Sequence, residues 1–127
     1  MRLLVLVGVV VLSSPLSSHH SFADYYLEED TIEVEGDILE FQYRNPHSWI
    51  HIVGPDPFGK QKQYSAEWAS VSRFERDGIT RNTLREGDTV RIWASPSRNP
   101  SDNKIRLKRI QRRSDGWQWG QVRRDGR

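Results

Sequence analysis

Histidine and carboxylate side chains are the groups of this sequence best suited to chemistry, because the chain of 127 residues contains no cysteine. Without thiolates, a transition-metal site must be built from imidazole, carboxylate or a free α-amine. The four histidines are His19, His20, His47 and His51. Their spacing along the chain decides which of them can share one ion.

His47 and His51 lie in HSWIHIV, where polar and apolar residues alternate as in a strand. Four residues of strand span about 13 Å, whereas two ligands of one ion must each lie about 2 Å from it. These two histidines therefore cannot share a metal. His47 is the better partner for the amino-terminal pair, because it follows Asn45-Pro46 at the start of the strand.

A chain that begins at His19 would bring both an imidazole and a free α-amine to the site. The α-amine has an ordinary pKa of about 7.7–8.0, so a metal can displace its proton at neutral pH. A third nitrogen from His47 suits Cu(II), which favours tetragonal nitrogen ligation, with Zn(II) as the alternative. We predict a metal site at His19, His20 and His47. The alternative is that these are ordinary surface or capping histidines.

The leader MRLLVLVGVVVLSSPLSS has the layout of a secretory signal peptide, with Arg2 before an apolar run over 3–12. The run is about ten residues, short of the roughly 20 that span a bilayer. We therefore predict export, to the periplasm or outside the cell, without stable membrane insertion. Cleavage before Ser18 or His19 keeps both histidines. Cleavage after Ala23, which fits the small-x-small rule better, removes them.

Short strands separated by turns dominate the rest of the chain. Alternating apolar residues predict strands in TIEVEGDILEFQY, HSWIHIV, QKQYSAEW, TVRIWAS and KIRLKRIQRR, with a short sixth strand in GWQWGQV. SVSRFERDG predicts a short helix, capped by Ser70 and ended at Gly78. Apolar residues fall on even positions up to Ile38 and on odd positions from Leu39, and this change of phase beside Gly36 predicts a β-bulge. The phase changes again between Leu107 and Ile110.

Strands this short must protect their edges. Three strands, a helix and two or three further strands predict a mainly β fold, a small closed Greek-key (OB-like) barrel of five to six strands with one short helix. A β-sandwich is the alternative. The predicted organisation is a signal peptide over 1–18, an amino-terminal arm over 19–30, the OB-like barrel over 31–120 and a basic tail over 121–127.

Charge is distributed unevenly, although the formal net charge is only +2. Residues 19–43 contain many acids and no Lys or Arg, whereas the bases Lys104, Arg106, Lys108, Arg109, Arg112, Arg113, Arg123, Arg124 and Arg127 crowd the other end. A basic end is typical of binding to an anionic partner. The alternative, which we favour, is that the two ends are neighbours in the fold and partly neutralise each other.

Tryptophans and arginines on outer strand faces are candidates for such binding, because aromatic rings can stack on bases or sugars. The candidate ligand-binding residues are Asn45, Trp49, His51, Trp93, Arg109 and Arg112. The favoured alternative is that the tryptophan rings cover the ends of the barrel.

Several short motifs follow one another along the chain: HHSF at 19–22, Gly36, Asn45-Pro46-His47, Trp49-Ile50, Trp68, Gly78-Ile79-Thr80, Leu84, Gly87-Asp88-Thr89-Val90 and Asp115-Gly116. In this order they resemble a family of small exported bacterial proteins of unknown function. The resemblance implies export, a small β-fold and a processed chain that keeps HHSF, and it implies no activity. The tail with Trp117 and Trp119 departs from the family pattern.

No enzyme signature is present, since the sequence lacks a glycine-rich phosphate loop, G-x-S-x-G and H-E-x-x-H. We therefore predict an exported, non-catalytic binding module for a transition metal ion. Two alternatives stay open. One is binding of an anionic polymer, nucleic acid or polysaccharide, through the basic carboxyl-terminal strand and exposed tryptophans. The other is a structural or protein-interaction role.

Overall fold

The structure, a computed structural model, describes residues 22–121. Its elements are a 3-10 helix (Phe22–Asp24), β1 (Ile32–Gln42), β2 (Trp49–Pro55), β3 (Gln61–Glu67), α1 (Val71–Asp77), β4 (Thr89–Pro96), β5 (Lys104–Arg112) and β6 (Gln118–Gly120). None of the helices among these residues has the length and apolar composition of a membrane-spanning helix.

Five of the strands close into a barrel. Antiparallel pairing gives the order β3-β2-β1-β4-β5, and a parallel pairing of β3 with the start of β5 joins the two ends. β6 adds one strand to the far half of β5. With α1 between β3 and β4, this is the closed Greek-key barrel predicted above, rather than a sandwich. Closure pairs the end of β3 with the start of β5, which shortens the open edge of β3 to its first part.

The barrel interior is filled by the alternating aliphatic residues of its strands. Ile50 and Ile52 of β2 are fully buried, as are Val90 and Ile92 of β4. Each such side chain contributes roughly 1.5–3 kcal/mol through burial. Phe74 of α1 is also fully buried, so the helix covers one end of the barrel.

The long strand β1 serves two partners, pairing with β4 over 32–37 and with β2 over 37–42. The register shift that bends it lies between Ile38 and Glu40, so the predicted bulge is confirmed where the apolar phase changes. Gly36 is needed for another reason. A Cβ on it would lie 2.4 Å from the carbonyl oxygen of Val53, so glycine lets β1 and β2 approach closely.

The predicted ends of α1 and the second phase change are confirmed. The hydroxyl of Ser70 accepts a hydrogen bond from the backbone N–H of Arg73, and Gly78 ends the helix in the left-handed conformation, with φ 71°. The register of β5 against β4 shifts after Leu107, as predicted.

Candidate functional site

The amino-terminal arm, residues 22–30 in the structure, crosses the barrel mouth beside the end of β3. Tyr26 is 3% exposed and forms an isolated bridge with Ser97. The ring of Phe22 lies 5.3 Å from the ring of His47, between centroids. The Arg106 guanidinium lies 3.6 Å from the Phe22 ring centroid, a cation–π distance. Phe22 is therefore held against the histidine that the sequence singles out.

His19 and His20 lie outside the described residues. His20 precedes Phe22 by two residues, and two residues of fully extended chain span at most about 7 Å.

His47 precedes β2, which begins at Trp49, so its predicted place on the strand face is wrong. Its Nδ1 lies 2.6 Å from Oε1 of Glu67, the last residue of β3. The Glu67 side chain is only 14% exposed, whereas that of His47 is 40% exposed. An ionised carboxylate accepts the Nδ1 proton of a neutral imidazole and leaves the Nε2 lone pair available to a ligand.

Glu67 is fixed from its other side by Tyr26. The Tyr26 hydroxyl donates a hydrogen bond to Oε2 of Glu67 at 2.5 Å. Burial raises the pKa of Tyr26 well above its ordinary value, and the hydrogen bond to Glu67 raises it further. The phenol therefore keeps its proton and acts as a donor. We call the three residues Tyr26, Glu67 and His47 the Glu67 network.

Two cavities flank Phe22, and both are lined in part by Phe22, His47 and Glu67. The arm cavity, of about 410 Å³, continues along Tyr25, Tyr26, Trp49 and the segment before β5. The helix cavity, of about 330 Å³, is formed by α1, β5 and β6, with Arg73, Arg76, Arg106, Trp68 and Trp119 in its walls. The Glu67 network thus lies where a ligand can be approached from two sides.

Of the other predicted site residues, Trp49 joins the arm cavity, while Asn45 and His51 line neither cavity. The side-chain oxygen of Asn45 accepts from the backbone N–H of Val71 at 3.0 Å, which holds the start of α1. His51 Nδ1 lies 2.9 Å from the hydroxyl of Ser65. His47 and His51 therefore have separate partners on β3.

Trp93, Arg109 and Arg112 are engaged with one another or with nearby loops. The Arg109 guanidinium lies 4.4 Å from the Trp93 ring centroid and donates to Gln118 at 2.8 Å. Arg112 donates to both carboxylate oxygens of Asp115, at 3.0 and 2.9 Å. None of the three lines the arm cavity or the helix cavity.

The acidic and basic ends of the chain are neighbours, as we favoured. Arg106 pairs with Glu28, and Lys108 Nζ donates to the backbone carbonyl oxygens of Glu28 and Asp30. These contacts are made by side chains, since β1 pairs with β2 and β4 and not with β5. Binding of an anionic polymer stays a prediction, although fewer basic side chains of β5 are unengaged than the sequence suggests.

The tryptophans do not form an exposed surface. All five lie within the described residues, and each is partly or fully buried. Trp68 packs between Phe74 and Trp119, and Trp117 packs against the core. Trp68, Trp117 and Trp119 fit the favoured interpretation that the rings cover the barrel, whereas Trp49 and Trp93 are half-buried outside the core cluster.

Glu67, Tyr26 and the arginines of α1 are site residues that sequence reasoning missed. A usable signal existed for Glu67 alone. Counting outwards from the turn PDPFGK places Glu67 opposite Trp49, two residues from His47. Tyr26 reaches the site through the docking of the arm, and Arg106 through the parallel pairing of β5 with β3 that places it beside Glu67. No local pattern reports either contact.

Within residues 22–121 no group of three or more histidine, aspartate or glutamate side chains is placed to hold a metal ion. His47, with or without Glu67, supplies at most two donors. A complete metal site on this side of the barrel therefore needs donors from outside residues 22–121, such as His19 and His20.

The fold and the site define a small OB-type barrel with a histidine–carboxylate pair between two cavities at its mouth. The chain belongs to a family of unknown function, DUF6152, whose model matches residues 7–106. That match includes His47, Glu67 and Arg106. No curated protein matches the chain. Membership of an uncharacterised family is thus confirmed, while the motifs and export implied by the resemblance stay predictions.

Proposed function

We propose that the protein is an exported, non-catalytic binding module that holds a transition metal ion, Cu(II) in preference to Zn(II), at the mouth of the barrel. The ligands are His47 and the amino-terminal histidines His19 and His20. The observation that carries this proposal is the contact of Glu67 with Nδ1 of His47, which leaves Nε2 available.

Metal-binding histidines commonly donate their second ring N–H to a carboxylate, which fixes the tautomer and the ring orientation. Glu67 is placed to do this for His47, and Tyr26 holds Glu67 in turn. The imidazole is 40% exposed beside a largely buried carboxylate, so its free edge is accessible. An ion pair with no ligand is the rival interpretation, and it predicts no effect of His47 on metal affinity.

The amino-terminal histidines are supported by the position of Phe22. Because the Phe22 ring contacts the His47 ring, the segment that carries His19 and His20 must start from the same side of the barrel. A chain start at His19 would offer its α-amine and imidazole, with His20 adjacent. Together with Nε2 of His47, these donors make a nitrogen-rich set of the kind that Cu(II) prefers.

The first experiment is mass spectrometry of the exported protein, which identifies its first residue. We expect the chain to begin at Ser18 or His19. A chain that begins at Asp24 lacks both amino-terminal histidines and would overturn the proposal.

The second experiment is a Cu(II) titration of that processed protein against a competing chelator, with electron paramagnetic resonance as a readout of nitrogen ligation. His47→Ala should weaken binding by about tenfold or more and remove one nitrogen from the spectrum. His51→Ala is the matched control, because it removes an imidazole that lines neither cavity. Equal affinities of wild type and His47→Ala would contradict the proposal.

A further inference from the structure

We infer that the helix cavity binds the oxyanion of a small carboxylate or phosphate ligand, whose apolar part packs against the cavity wall. The site uses Arg73, Arg76 and Arg106 and needs no metal ion. It is separate from the metal-binding role proposed above, although the two sites adjoin at His47.

The charge of the helix cavity favours an anion. Three arginines line it, against the single carboxylate of Glu67, which already accepts from Tyr26 and contacts His47. The arm cavity differs, because Asp24, Asp102 and Glu67 line it together with Arg98 and Lys104. Of the two cavities that flank Phe22, the helix cavity is therefore the one with a surplus of positive charge.

The arginines also have unused donors. Arg73 directs its Nε to Asp77 at 2.9 Å, and Arg106 pairs with Glu28 through one terminal nitrogen. A guanidinium carries five N–H donors, so both keep several. Within residues 22–121 Arg76 forms no ion pair and no side-chain hydrogen bond, although it lines the cavity. Planar guanidinium groups bind carboxylate and phosphate oxygens through paired hydrogen bonds.

A buried donor provides an independent observation at the same place. Trp68 is 4% exposed and lines the helix cavity, and its Nε1–H has no acceptor among the described residues. Leaving a buried N–H unpaired costs about 1–3 kcal/mol. Nε1 has less than 1 Å² of accessible area, so an oxyanion would supply the acceptor only where the cavity wall moves to admit it. The second tryptophan of the cavity, Trp119, donates its own N–H to Asp77 at 2.7 Å.

The walls define the rest of the ligand. Phe22, Leu107 and Trp119 give the cavity an apolar surface, and its volume of about 330 Å³ accommodates a small organic molecule. An aromatic carboxylate uses both the arginines and these walls, whereas inorganic phosphate uses the arginines alone. We therefore expect benzoate to bind more tightly than phosphate.

The test is a titration of the full processed chain with benzoate and, separately, with inorganic phosphate, at constant ionic strength and with EDTA present. Binding is followed by calorimetry and by tryptophan fluorescence. Saturable binding with a fluorescence change is expected for benzoate. The inference would be overturned if neither probe binds saturably, or if phosphate binds more tightly than benzoate.

Location is tested with charge-matched variants. Arg76→Gln should weaken benzoate binding by about tenfold, the loss of one charge-assisted pair. Lys104→Gln removes the same charge from the arm cavity and should leave the affinity unchanged. Equal losses in both variants would show a general charge effect and no site. Because EDTA is present throughout, this result is independent of whether the metal site exists.

Discussion

Two polar networks on this barrel differ in whether they include a side chain with an unused hydrogen-bonding atom. The first is the Arg112 network, in which Arg112 donates to Asp115 and to the carbonyl oxygen of Thr83 at 2.5 Å. It also approaches Asp88 at 3.5 Å and lies 5.7 Å from the centroid of the Trp117 ring. Its side chain is 20% exposed. This arginine is surrounded by acceptors of its own chain.

The Glu67 network differs at its outer end. Tyr26 and Glu67 satisfy each other, but His47 has one ring nitrogen engaged and is 40% exposed between two cavities. A saturated network stabilises the loops it joins, whereas an unsaturated one next to a cavity can take a ligand. Arg112 is a ligand-binding candidate from sequence alone, and its contacts favour a structural role. Glu67 is not a candidate from the sequence, but its contacts favour a role at the site.

Arg112→Ala has the largest expected effect, and it tests whether Arg112 has a structural role. Loss of charge-assisted hydrogen bonds to partly buried acceptors should lower the free energy of unfolding by about 2–3 kcal/mol. The measurement is the midpoint of urea denaturation. Affinities for Cu(II) and benzoate should not change in the folded protein. A destabilisation no larger than that of Arg85→Ala, whose side chain makes no hydrogen bond or ion pair within residues 22–121, would remove the structural assignment.

Glu67→Gln tests whether the Glu67 network supports ligand binding and not only stability. The amide cannot accept the Nδ1 proton of His47 with the strength of a carboxylate, so the affinity for Cu(II) should fall by about tenfold. The stability loss should be smaller than that of Arg112→Ala. Competition titration measures the first quantity and urea denaturation the second. If only stability falls, Glu67 belongs with the Arg112 network as a structural residue.

Tyr26→Phe has a smaller expected effect, because it removes only the outer donor of the Glu67 network. We expect a loss of about 1 kcal/mol in the free energy of unfolding. The loss of Cu(II) affinity should be smaller than that in Glu67→Gln, since the contact between Glu67 and His47 remains. An affinity loss equal to that of Glu67→Gln would mean that Tyr26 alone positions the carboxylate.

The smallest expected effect is the acid sensitivity of the Arg112 network. The hydrogen bonds from Arg112 lower the pKa of Asp115 from its ordinary value of 3.8 to about 2. Because the folded-state pKa is the lower one, the carboxylate contributes its full stability above about pH 4 and loses it as the pH falls towards 2. Asp115→Asn should therefore flatten the dependence of stability on pH in that window. Glu86→Gln, on an exposed loop, is the control and should leave the dependence unchanged.

Local sequence patterns predict most of the secondary structure of the fold. The alternation in HSWIHIV and TVRIWAS and the Ser70 and Gly78 signals at the ends of α1 each follow from short-range chemistry, and all are confirmed. The bulge in β1 also follows from a local pattern, because its register shift lies where the apolar phase changes at Leu39, a residue that is 41% exposed.

The site depends on long-range contacts to a greater degree. Asn45-Pro46-His47 marks the correct part of the barrel, but the partner of His47 comes from the end of β3 and the next donor from the amino-terminal arm. Docking of the arm is set by Phe22 and Tyr26, whose surroundings arise only once the barrel closes. For the same reason the arginines of α1 and β5, separated by 30 or so residues, could not be grouped in advance.

Phe22 has a consequence for how processing shapes the surface. Its ring is the partition between the arm cavity and the helix cavity, held by His47 on one side and Arg106 on the other. A peptidase that cut after Ala23 would delete this partition together with the histidines before it. His47 and Glu67 would then be the remaining side chains common to both cavities, so under the proposed processing the scissile bond would set the shape of the site as well as its donors.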